Sequence, residues 1–289
     1  MAVLNPLRVL LVDDPGRLDA LTARRRVAVH LTEADVAYRP HPMDPRARPW
    51  QGAPPQVALV CDAPKAAEEL TAQGVPVVYL HCGHRTGPVP AVAAVVQQIQ
   101  GPARLPVPTD TTGGPGRCGV LAPARTARAR SRAGCLVLVS AADARAEHLA
   151  AYTDDVLRPL VTRAAAGPGG CDLVCDTGLP TVRNALPSMS GLRLHVAADV
   201  DVDALHARAE TCHASPTWSA VALARARKAP LELLPPLGPA QRDLAERLQA
   251  PPDTGAAARI TGDITDDDLR GAQRIARKLR QLAMVPPSM

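Results

Sequence analysis

The sequence predicts an α/β protein built as two consecutive Rossmann-like domains facing across a cleft, with a C-terminal helix packing across. Three observations predict it. Short apolar runs alternate with helical stretches, the pattern of parallel strands buried on both faces by crossover helices. The alternation occurs in two blocks separated by residues 101–117, which are turn-formers almost throughout. The chain has 289 residues with 46% apolar content, enough for two modest cores. Aromatics supply only 2% and Phe is absent, so those cores are packed from Ala, Val and Leu.

In the first block, residues 7–12 read as a buried strand that ends in the turn cluster Asp13-Asp14-Pro15-Gly16. A helix is expected over 17–31 and a short strand over 34–38. Residues 56–61 form the next strand. Asp62 is expected to cap the following helix, with Pro64 in its first turn and Gly74 just past its end. Residues 75–80 form another strand, followed by His81-Cys82-Gly83-His84-Arg85, and 90–100 reads as a helix. The domain boundary is placed at 117/118. A short run over 118–121 then leads into an Ala/Arg stretch, 122–133, read as a solvated linker or a phosphate grip.

The second block places strands over 135–140, 172–175, 192–196, 211–213 and 231–234. Helices are expected over 144–165, 201–209, 217–227 and 239–249. The last helix is expected over 266–284, with Thr265 as N-cap and Asp266, Asp267 and Asp268 in its first turn. Its apolar stripe is Leu269, Ala272, Ile275, Ala276, Leu279 and Leu282.

Composition excludes some classes of function. The net charge of +5 is a mild basic excess suited to small anions, without the motifs of a nucleic-acid reader. No apolar stretch is long enough to span a membrane. Seven cysteines, odd in number and without a CxxC pair, fit a reduced, cytoplasmic compartment. Small-molecule substrates, no bound cofactor, no metal and a monomer or homodimer are the corresponding expectations.

Ligands of open parallel sheets bind beyond the carboxyl ends of the strands. That rule selects Asp13–Gly16, Asp62, His81–Arg85, Ser140–Asp143, Asp176-Thr177-Gly178 and His213–Ser219. In the last loop, Ser215 is expected as N-cap and Pro216 as the first helical residue. The free N–H groups of that helix start, with Thr217, Trp218 and Ser219, would suit a diphosphate. Several of these positions have plainer alternatives. Asp13 and Asp176 could be turn formers, Trp218 could be core packing, and His81 with His84 could be structural rather than a metal pair.

After this helix come Pro230-Leu231-Glu232-Leu233-Leu234-Pro235-Pro236-Leu237 and then Gly238-Pro239-Ala240-Gln241. This order resembles the donor-binding region of GT-B glycosyltransferases, in which a His and small-residue loop meets the nucleotide diphosphate and a later Gln contacts the sugar. It departs from that pattern at Ala214 and Ser215, where two glycines are usual, and at Val221, where an acid is common. The run SPTWSAVALARA–LPPL–AQRDLAERL is similar to the cytosylglucuronic acid (CGA) synthase-related proteins of actinomycetes, and the Arg-rich, Lys-poor composition fits such a source.

The resemblance implies transfer of a sugar, glucuronic acid from UDP-glucuronic acid, to a small acceptor such as cytosine in nucleoside-antibiotic biosynthesis. UDP-sugar is then a substrate and not a cofactor. The implied nucleotide-sugar set is Ser140, Asp176, Thr177, Gly178, His213, Ser215, Thr217, Trp218, Ser219 and Gln241. Asp13 or Asp14 would be the base, with His84 behind them, and Arg17 or Arg85 would hold the sugar carboxylate. Two other readings stay open. One is a non-catalytic partner that keeps the GT-B shape. The other is a receiver-like signalling domain with Asp62 as phosphoacceptor, although residues 100–122 lack the lysine it requires.

Overall fold

The computed structural model describes residues 7–32, 34–40, 53–83, 95–99, 116–142, 144–186, 188–248 and 269–284. Residues 101–115 of the linker expected at 101–117 lie outside them, as do His84, Arg85, Asp143 and Thr265–Asp268, and its last two residues, Gly116 and Arg117, open a strand instead. The chain divides into two compact units. One comprises Met1–Pro15, Asp19–Ala124 and Asp267–Met289; the other comprises Gly16–Leu18 and Arg125–Asp266. Residues 118–124 and the C-terminal stretch, expected with the second half, therefore group with the first unit.

Among the described residues, the first unit holds six parallel strands: β1 (Arg8–Asp13), β2 (Asp35–Pro40), β3 (Val57–Cys61), β4 (Val77–His81), β5 (Val95–Ile99) and β6 (Gly116–Gly119). Their order is β2-β1-β3-β4-β5-β6. β3 and β4 are buried at every residue, which is why they read as unbroken apolar runs. One face is covered by α1 (Leu18–Ala28) and the C-terminal helix, and the other by α2 (Pro64–Ala72). Where a helix was expected over 90–100, the chain instead forms β5. Its Val95, Val96 and Ile99 suit a pleated strand, and it pairs in parallel with β4.

Among the described residues, the second unit holds five parallel strands: β7 (Cys135–Val139), β8 (Cys171–Cys175), β9 (Leu192–Val196), β10 (Thr211–Ala214) and β11 (Glu232–Leu233). Their order is β11-β10-β7-β8-β9. The helix expected over 144–165 is α3 (Ala146–Tyr152) and α4 (Arg158–Ala165), joined through a π turn at Thr153–Leu157. Pro159 lacks the N–H that a regular ladder needs there, which accounts for the local widening. With α5 (Leu179–Ala185), these helices supply Leu149, Leu157, Val161, Leu179 and Val182 to a core shared with Val137, Val139, Leu173 and Cys175. α6 (Val202–Arg208), α7 (Trp218–Ala226) and α8 (Pro239–Arg247) complete the unit.

The last helix, α9, spans Gly271–Ala283 and rests on the first unit's sheet. Ala272, Ile275, Ala276 and Leu279 of the expected stripe are buried, and Leu282 packs at its margin. Its start lies directly on the chain leaving β6. The Gly271 N–H donates to the Val120 carbonyl at 3.1 Å, and a Cβ at Gly271 would sit 2.7 Å from the Gly119 oxygen. Only glycine permits that approach. Among the described residues, no helix is long and apolar enough to cross a membrane.

Candidate functional site at the carboxyl edge of the second sheet

In the second unit, β7, β8 and β9 are laid down in one direction. The chain then returns to add β10 and β11 on the other side of β7. The strand order therefore reverses between β7 and β10, and such a switch point opens a crevice outside the carboxyl ends of the two strands. Ser140 follows β7 and Ser215 follows β10. The Ser140 N–H donates to Ser215 Oγ at 3.0 Å, which closes the two loops onto each other.

Asp176, after β8, organises this edge. One carboxylate oxygen, Oδ1, accepts from the N–H groups of Ala141 and Thr177, each at 2.7 Å. The other, Oδ2, accepts from Ser140 Oγ at 2.6 Å and from the N–H of Leu18, in the short stretch that groups with this unit, at 3.1 Å. The carboxyl is 5% exposed. Burial raises its pKa, although the hydrogen bonds from Ser140, Ala141, Thr177 and Leu18 pull the other way. Turn formation, the plainer alternative for Asp176, describes only its bond to Thr177; the others are tertiary.

Gln241, in the first turn of α8, spends both ends of its amide on the chain. Its Nε2 donates to the Ser140 carbonyl at 2.7 Å, and its Oε1 accepts from the Leu237 N–H at 3.0 Å. It ties the loop after β11 to the loop after β7 instead of presenting a free amide to a sugar. Gly178 is the N-cap of α5 at φ 71°, left-handed backbone that suits glycine. Ser140, Asp176, Thr177, Ser215 and Gln241, found separately in the sequence, are thus one connected network, with Gly178 at its margin.

The start of α7 differs from expectation. Thr217, not Ser215, is the N-cap, and its Oγ1 accepts from the Ala220 N–H at 3.3 Å. Ser215 stands two residues ahead of that cap, its hydroxyl accepting from the Ser140 N–H and its own N–H donating to the Leu138 carbonyl. Ser215 is 1% exposed, Thr217 6% and Trp218 5%. Ser219 is half-buried, with its hydroxyl 3.3 Å from that of Thr217. The helix start is closed by its own side chains, and Trp218 is packed in the unit.

His213 is also placed differently. It lies inside β10, not in the loop after it. Its Nδ1 faces Glu232 Oε2 at 3.2 Å, and its side chain lines a pocket with Gly134, Gly167 and Thr211, which stand at or just before the amino ends of the strands. It does not join the Ser140–Asp176 network. Glu232 carried no signal in the sequence, because its role depends on β10 and β11 being neighbours.

In the first unit, Asp13 ends β1 and is fully buried. Its Oδ2 accepts from Arg24 Nε at 2.7 Å. The Arg24 guanidinium stacks over the Tyr38 ring at 4.0 Å. Burial first, then the neighbouring Asp13, raises the Tyr38 pKa. Enclosed in this way, Asp13 fits a structural ion pair better than a base in contact with substrate. Neither Arg24 nor Tyr38 stood out in the sequence, since nothing local connects them to Asp13. Asp14 is half-buried and Arg17 exposed.

Asp62 does not cap α2, whose N-cap is Ala63. Its backbone turns left-handed at φ 49°, and Oδ1 accepts from the Cys82 N–H at 2.9 Å, tying the end of β3 to the end of β4. His81 is buried edge-on to Tyr79, and burial lowers its pKa. Among the described residues, no group of three or more His, Cys, Asp and Glu side chains could hold a metal ion.

No curated protein matches the chain significantly. One solved structure it resembles is the glycosyltransferase SnogD from Streptomyces nogalater, at 14% identity over 96% of each chain with a TM-score of 0.46, a likeness too loose to carry residues across. The model of one protein family matches residues 9–287, and the chain accordingly belongs to the CGA synthase-related protein family.

Proposed function

We propose that the protein is a GT-B-type glycosyltransferase whose second unit takes a nucleotide-sugar at the carboxyl edge of its sheet. The observation that supports this most directly is the network at the β7/β10 switch point. There Ser140, Asp176, Ser215 and Gln241 hold four strand-to-helix loops in one fixed arrangement. Fixed loops supply preorganised N–H and O–H donors, which is how a site stabilises charge that develops on a leaving diphosphate. Asp176 and Gln241 are positioning residues in this reading. The partly exposed Thr177, Gly178 and Ser219 are the groups that would meet ligand. Following the resemblance drawn from the sequence, the finer proposal is UDP-glucuronic acid as donor and cytosine as acceptor. Asp14 is the candidate base in place of the enclosed Asp13, and Arg17 is the cation for the sugar carboxylate.

One observation favours a second reading, a non-catalytic member that keeps the shape. The α7 start is closed, with the Ser215 and Thr217 hydroxyls committed inside the unit. Titration calorimetry with UDP and UDP-glucuronic acid, followed by a product assay with cytosine, separates the two. Binding with turnover supports the transferase, and binding without turnover supports the second reading. Binding of neither nucleotide removes the donor site proposed at this edge.

A further inference from the structure

On the opposite edge of the second sheet, a cavity of about 240 Å³ is lined by Cys135, Thr211 and His213 from the strands, Arg163 from α4, and Glu210. None of the seven cysteines forms a disulfide, and Cys135, at 7%, is the most exposed of them. Strand register explains what surrounds it. Cys135 on β7 stands beside Cys171 on β8 and beside Thr211 on β10. His213, two residues along β10, points to the same face. Glu232 on the neighbouring β11 stands beside His213 and holds its Nδ1 at 3.2 Å. With Nδ1 engaged, Nε2 is the nitrogen left for the thiol. A thiol, an imidazole and a carboxylate that orients it, in that sequence, are the parts of an activated sulfur nucleophile.

We propose that this cavity is a thiol–disulfide exchange site, in which Cys135 attacks a small organic disulfide and Cys171 resolves the product. In the first step the Cys135 proton passes to His213 Nε2. The sulfur bonds to one sulfur of the disulfide, whose S–S bond breaks, and the departing thiolate takes up a proton. In the second step the Cys171 sulfur attacks the mixed disulfide, forming a Cys135–Cys171 bond and releasing the second thiol. Two protein thiols are oxidised and one external disulfide is reduced to two thiols, so electrons balance. Adjacent strands lie about 4.8 Å apart, within the roughly 4.4–6.8 Å separation of Cα atoms that a disulfide spans.

The electrostatics agree with the division of roles. Cys171 first, then His213 and Thr211, hold the Cys135 thiol below the usual thiol range against the opposing effect of burial. Cys135 in turn pushes the Cys171 thiol up, and burial adds to it. The other groups facing the cavity are Arg163, which favours a thiolate, and Glu210, which opposes it.

The test uses the reduced full-length protein and bis(2-hydroxyethyl) disulfide, small enough for the cavity, with peptide mapping by mass spectrometry. The expected product is a Cys135–Cys171 cross-link formed ahead of any change at Cys61, Cys82, Cys118, Cys175 or Cys212. Cys171→Ser should stop at the mixed disulfide on Cys135. His213→Gln should slow the first step at pH 6 on the order of tenfold, as the thiolate fraction falls. Should His213→Gln fold poorly, the rate of Cys135 alkylation against pH in the wild type decides instead. A midpoint below that of an ordinary thiol supports the proposal, and an ordinary midpoint overturns it. It is overturned equally if another cysteine reacts first, or if Cys171→Ser leaves the product unchanged. None of these readouts depends on sugar transfer.

Discussion

Removing the Asp176 carboxylate tests whether the loops at the β7/β10 switch point are held by one buried anion. Asp176→Ala leaves the N–H groups of Ala141, Thr177 and Leu18 and the Ser140 hydroxyl without their acceptor in a site that is 5% exposed. At about 1 kcal/mol for each donor left facing no acceptor, the loss is roughly 4 kcal/mol. Asp176→Asn keeps one oxygen for Ala141 and Thr177 but turns an N–H₂ toward the Leu18 N–H, while the Ser140 hydroxyl can rotate to accept. That costs about 2 kcal/mol, reduced to the extent that a charge no longer has to be buried. The raised pKa of Asp176 points to this offset. A group whose pKa is raised by folding contributes most below its unfolded pKa and loses ground as pH rises through the folded value, so the gap between wild type and Asn should widen toward acid.

The assay is urea unfolding in a Trp50→Phe background, where the buried Trp218 of the second unit is the sole tryptophan. The Ala variant should lose more than the Asn variant, and both should fall below wild type. An Asn variant at or above wild-type stability would refute the reasoning, by showing that the cost of burying the charge exceeds the worth of its hydrogen bonds.

In the first unit, Arg24→Ala should cost about 3 kcal/mol, because Asp13 would stay buried without its cation; a melt within a degree of wild type counts against the ion pair. Leu279→Ala on α9 should cost about 2–5 kcal/mol as a cavity in the first core, read by denaturant titration. Gly178→Ala should destabilise by about 1–2 kcal/mol from its left-handed backbone, since its Cβ would also meet the Leu149 side chain end; calorimetric unfolding measures it. On β8, Arg193 first and then His195 hold the Asp172 carboxyl below its usual range, against the opposing effect of burial. Its contribution is therefore present above the ordinary carboxylate pKa and lost as pH falls through the folded value. The stability gap between wild type and Asp172→Asn should shrink below about pH 4, and a gap that is constant with pH would contradict this.

Much of the architecture was legible in the chain because parallel strands buried on both faces must be apolar throughout. Val57–Cys61 and Cys135–Val139 announced themselves in this way, and Ala272, Ile275, Ala276 and Leu279 marked the buried stripe of α9. The carboxyl-end rule then picked out Ser140, Asp176, Thr177 and Ser215 before any contact was known. Strand order, by contrast, has no local signature. That β10 returns beside β7, that Glu232 stands next to His213, that residues 95–99 pair with β4 and that α9 rests on the first sheet are choices among pairings of similar apolar segments, made by the collective packing of each unit. The hydroxyls followed the same logic. Ser215 and Thr217 were both chemically fit to cap α7; the β7/β10 pairing sets Ser215 against the Ser140 N–H, and the helix starts from Thr217.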